Sequence, residues 1–92
     1  SYIDLKDDEL LRISKCQSLR HLYLSGVKLS DKMIDTLGQM TQLEYLNLFE
    51  TNLTAKQIEE LAARIPAAKL ENQKPDGLAA ACDGYFHLEL SK

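Results

Sequence analysis

Two cysteines and two histidines repeat one spacing in this chain: Cys16-x4-His21 and Cys82-x4-His87. All four residues are of zinc-ligand types, but zinc sites favour closer pairs. Cys16 falls in an apolar slot while His21 belongs to the opposite face of a strand, so the pair diverges and no metal is expected. Two cysteines are too few for a disulfide framework. They read as free thiols in packed positions, since free cysteine behaves as a small hydrophobe. One Cys16–Cys82 bridge stays open for an oxidising compartment. Ser25 and Ser30 have no neighbouring base to activate them as nucleophiles. Gly26 and Gly38 are isolated, so no phosphate-cradling loop exists. The expectation is no cofactor and no catalysis by this chain alone.

Recognition chemistry is better represented. Tyr23, Tyr45 and Phe49 alternate along two short stretches with apolar residues, in the company of His21, Ser25 and Asn47; Lys69 and Glu71 occupy like positions further on. Aromatic side chains carry large contact area at small entropic cost and serve as binding anchors. The plainer alternative is cross-strand stacking, which stabilises a sheet face by itself. The 92 residues carry a net charge of −3 and a pI near 5.3. No run of Lys and Arg is present, so no nucleic-acid partner is expected. The longest apolar runs, such as LAAAC at 78–82, are too short to span a bilayer, and no membrane insertion is expected. The compartment stays open.

The elements that must position these residues come from a repeat. Leu19, Leu22, Leu24 and Leu29 recur as Leu43, Leu46, Leu48 and Leu53, all at one offset. At the same offset Ile34 and Leu37 recur as Ile58 and Leu61. Leu5, Leu10 and Ile13 extend the pattern backwards, Leu70 extends it forwards, and Cys16 falls under Met40. In LYL and LNL the alternation has strand periodicity; after each, Leu29, Ile34, Leu37 and Met40 change to helical spacing. Thr54 with Gln57 forms a capping box, and Leu53 with Ile58 a hydrophobic staple, at one helix start; Ser30 begins another. Asp7, Asp8 and Glu9 place negative charge at the start of a helix over 7–15. Pro66 ends the last regular helix, and a short strand follows at 69–71.

The motifs LRHLYLSGVKL (19–29) and LEYLNLFETNL (43–53) resemble the leucine-rich repeat family, in the style of its short bacterial repeats. The resemblance implies a short α/β solenoid, a right-handed strand–helix superhelix, over 1–72, with two full repeats and partial units at each end. The slot often filled by Asn or Cys holds Val27 and Thr51, so no continuous asparagine ladder is available: Thr51 can bond the turn, Val27 only packs. Residues 73–92 depart from the repeat and read as an irregular C-terminal cap. NQKPDG is turn-rich, LAAACDG suggests a helical turn stopped at Gly84, and 85–91 alternates as a strand. That strand either covers a sheet edge or the helical layer, or docks on another chain.

In such a solenoid the alternate strand positions form rows on the concave face: His21, Tyr45 and Lys69; Tyr23, Asn47 and Glu71; Ser25, Phe49 and Gln73. The family resemblance implies a non-catalytic protein–protein interaction module that presents these rows to a protein partner or larger complex. Two alternatives are a structural accessory subunit or terminal module, contacting an assembly through the solenoid ends, and a fragment of an enzyme whose catalytic domain lies upstream. The repeat frame places no strand before the first helix. The N-terminal edge is therefore expected to meet an upstream segment or another subunit.

Overall fold

The computed structural model describes residues 4–74 and 85–88. Three helices alternate with three strands: α1 (Asp7–Ser14), β1 (His21–Leu24), α2 (Asp31–Gly38), β2 (Tyr45–Asn47), α3 (Ala55–Arg64) and β3 (Lys69–Glu71). A fourth strand, β4 (Tyr85–Leu88), follows. All strands lie parallel in one open sheet of order β3-β2-β1-β4.

Strand register carries the repeat directly. Leu22 pairs with Leu46 and Leu46 with Leu70, so each strand meets the next one full repeat further on. This register is forced by burial: a slip of one residue would turn every leucine to the other face. Leu22, Leu24, Leu46 and Leu48 are fully buried and cluster with Leu10, Met33, Leu37 and Leu61 of the helices. Leu19, Leu43 and Leu29 complete the core, while Leu53, Ile34, Ile58 and Leu70 pack partly against it.

Helix starts follow their sequence signals. Thr54 Oγ1 accepts from Gln57 N–H at 3.1 Å, and Gln57 Oε1 accepts from Thr54 N–H at 2.9 Å. Ser30 Oγ accepts from Met33 N–H at 3.1 Å and donates to Asp7 Oδ1 at 2.6 Å. That second bond ties the start of α1 to the start of α2. α3 stops at Ile65, whose φ of −127° and ψ of 68° leave the helix just before Pro66, as the ring of a following proline requires.

The turns after β1 and β2 share a conformation. Gly26 and Glu50, one repeat apart, both take positive φ, 79° and 58°. Gly26 N–H donates to Phe49 O at 2.8 Å, joining one turn to the next. Thr51 Oγ1 donates to Leu48 O at 2.9 Å, and Val27 is fully buried, as the two side chains predict. A residue outside the expected slot supplies the asparagine bond. Asn52 donates to Leu29 O at 2.9 Å and accepts from Leu29 N–H at 2.6 Å, so one side chain clamps both polar groups of Leu29 in the preceding repeat.

One expectation changes. Cys16 is exposed, not packed, and is a free thiol, although its repeat partner Met40 is 1% exposed. Met40 lies in the middle repeat with a unit on either side; Cys16 follows α1, which packs on α2 alone among the described elements. Along the outer edge of β1 runs β4, with His21 beside Tyr85 and Leu24 beside Leu88. Of the strand expected over 85–91, residues 89–91 lie outside the described residues, as do Cys82 and the helical turn expected before Gly84.

Candidate interaction face

Because side chains alternate across a strand, the residues between the buried leucines stand on the sheet face turned away from the helices. The three parallel strands bring the expected residues into rows, with His21 beside Tyr45 and Lys69, and Tyr23 beside Asn47 and Glu71. The rings of Tyr23 and Tyr45 lie 4.9 Å apart and tilted by 41°, and those of His21 and Tyr45 6.4 Å apart. The closer pair falls in the range where aromatic rings attract.

A hydrogen-bond network fixes Tyr45. Its hydroxyl donates to Glu71 Oε1 at 2.6 Å and accepts from Asn47 Nδ2 at 3.1 Å. Burial holds the Tyr45 phenol above its ordinary pKa; the bond from Asn47 works the other way, and Glu71 adds to the rise. Asn47 is the hub beneath. It donates also to Gln73 O at 3.0 Å, and its Oδ1 accepts from Phe49 N–H at 2.9 Å and Ser25 Oγ at 3.4 Å. An amide oxygen takes up no proton at neutral pH, so Ser25 and Asn47 do not form a nucleophile–base couple. Lys69 Nζ lies 3.8 Å from Glu71 Oε2.

The eight expected residues therefore divide. Tyr23, Ser25 and Asn47 are buried, with 8%, 4% and 1% of their surface exposed, and act as a supporting layer. His21, Tyr45, Phe49 and Glu71 are half-buried and Lys69 is exposed; these five carry the accessible surface of the expected set. Reading alternation alone misses this split, because exposure on an open sheet face depends on lateral neighbours. The polar hub was legible in one respect: a short amide side chain between two aromatics in a strand needs partners.

Clefts lie elsewhere. One of about 310 Å³ sits between α2 and α3, lined by Ile34, Asp35, Gln57, Glu60, Leu61 and Arg64. Its cation is already engaged, since Arg64 Nη1 lies 3.2 Å from Asp35 Oδ1 and the guanidinium rests against Gly38, where a Cβ would overlap it. Among the described residues no group of three or more His, Cys, Asp and Glu is placed to hold a metal ion; for His87 only the backbone is described. No helix of the described residues is long and apolar enough to cross a membrane. Comparison with protein-family models, with curated proteins and with solved structures found no match to this chain.

Proposed function

We propose that this chain is a short leucine-rich-repeat solenoid acting as a non-catalytic protein-interaction module, with the strand face as its binding surface. The observation that carries the reading is the fixed aromatic at its centre. Tyr45 is half-buried, stacked on Tyr23 and held by Glu71 and Asn47, with Phe49, His21 and Lys69 around it. A ring already immobilised gives up little rotamer entropy on binding, and a tyrosine amid polar groups suits a protein surface. The one-repeat step between paired strands supports the solenoid half of the proposal.

Size sets what such a face can do. Four strands about 4.8 Å apart span about 14 Å between the outer ones, whereas a standard interface takes about 800 Å² from each partner. The adjoining turns, or a further stretch of repeat, must therefore share the contact. The test is capture from source-cell lysate by wild type and by Phe49→Glu/Lys69→Glu, a variant that spares the buried network. Capture by wild type and a loss of tenfold or more by the variant, with thermal unfolding unchanged, is the expected result. Equal capture by both sinks the strand face as the binding surface.

A second reading, an accessory subunit or terminal module joined through the solenoid ends, is favoured by one feature: among the described strands β3 has β2 as its neighbour on one side only. Equal capture by the two proteins above is what that reading expects.

A further inference from the structure

β4 occupies the position on β1 that one more strand of the repeat would take, while β3 leaves the opposite edge of the sheet without a strand among the described residues. The two edges are complementary. On β3, Lys69 N–H donates to Glu44 O at 2.9 Å and Glu71 O accepts from Leu48 N–H at 2.8 Å. Lys69 and Glu71 thus turn their peptide groups to β2, and by strand alternation Leu70 turns its N–H and C=O outward. On β1, Arg20 O accepts from Glu44 and Tyr45 N–H, and Gly26 N–H donates to Phe49 O. Even-numbered positions there face β2, so His21 and Tyr23 face β4.

A rule follows for each join within the repeat: even-numbered residues of the earlier strand bond odd-numbered residues of the later one. Leu70 on one copy, set against His21 and Tyr23 on another, obeys the same rule. The register of the repeat then continues across the join, with Leu70 beside Leu22. In the helical layer α1 packs on α2 and α2 on α3, and the join sets α3 of one copy against α1 of the next by the same step.

We propose that the outer edge of β1 is a binding site for β3 of a second copy of this chain, and that β4 keeps the chain monomeric by occupying it. With β4 displaced, copies join head to tail. The two edges differ, so the contact is heterologous and the assembly grows past the dimer, into a filament or a ring as the rotation per step dictates. This stands whether or not the strand face binds a protein.

The test uses the full chain with Phe86→Pro/His87→Pro. Successive strand residues turn their N–H groups to opposite sides, so one of the two prolines removes a donor to β1 whichever phase β4 takes. Sedimentation velocity over a hundredfold range of concentration is the readout. Wild type is expected to sediment as a monomer throughout, and the variant to grow past the dimer as concentration rises. A variant that keeps its far-UV circular dichroism yet stays monomeric, or stops at a dimer, overturns the proposal, as does a wild type that grows equally. Should the double variant unfold, Leu88→Pro, which touches only the last residue of β4, is scored by the same outcomes.

Discussion

Glu50 holds a backbone conformation that its own chemistry disfavours. An L-residue in the left-handed region loses about 1–2 kcal/mol to the contact of Cβ with the following carbonyl, and Gly26, one repeat earlier, avoids it. Glu50→Gly is expected to raise stability by about 0.5–1 kcal/mol, after the flexibility that glycine adds to the unfolded chain is deducted; Gly26→Ala is expected to lower it by about 1–2 kcal/mol. Denaturant titration measures both. Tyr45 supplies a second prediction. Burial raises its pKa above the ordinary 10.0, so folding favours the protonated phenol. Its contribution is full below that ordinary value and declines as the pH rises through and beyond it. Spectrophotometric titration should show an ionisation above the ordinary tyrosine value that Tyr45→Phe removes, and Tyr45→Phe should weaken the alkaline loss of stability. Cys16 lies at the exposed end of the scale, its thiol pKa lowered by the hydrogen bond with Ser18.

The elements show what sequence alone makes readable. Strict apolar recurrence at a single offset gives away the leucine core, the strand register and three helices, because one-sided burial admits only one phase of each element. Caps are as legible: Thr54 and Ser30 are short oxygen-bearing side chains that can reach an N–H three positions on. Asn52 escapes such reading. It stands one position after the slot where a turn-bonding residue is expected, and its counterpart in the previous repeat is Lys28, so no periodicity marks it. Its role depends on the neighbouring turn arriving at the right distance. Asn52→Ala removes the partners of both Leu29 N–H and Leu29 O and should cost about 1–3 kcal/mol, since Leu29 is buried and water cannot easily replace them. Thermal unfolding of this variant beside Lys28→Ala, expected to be within about 0.5 kcal/mol of wild type, makes the comparison.

At the scale of the molecule, the order of the strands was the least legible feature. Alternation in 85–88 declares a strand, but a period of two says which residues share a face and nothing about which strand lies alongside. The pairing of β4 with β1 sets Tyr85 beside His21, from opposite ends of the chain, and no local rule reaches that far. The same limit applies to the candidate face. Its rows were readable from the step of the repeat; the burial of Tyr23, Ser25 and Asn47 was not, because it arises from neighbours in other strands.

β1 has its own clock. Its peptide groups alternate between two partners, β2 one repeat away and β4 far along the chain. Closing the longer loop costs about 0.9 kcal/mol more entropy by the logarithmic law for flexible chains, and β4 brings no helix of its own among the described elements to repay it. The pairing with β4 should therefore form last and open first. Amide exchange measured residue by residue should alternate along four consecutive positions, with Leu22 and Leu24 slow and His21 and Tyr23 fast. Uniform rates along β1 would mean instead that the sheet opens as one unit.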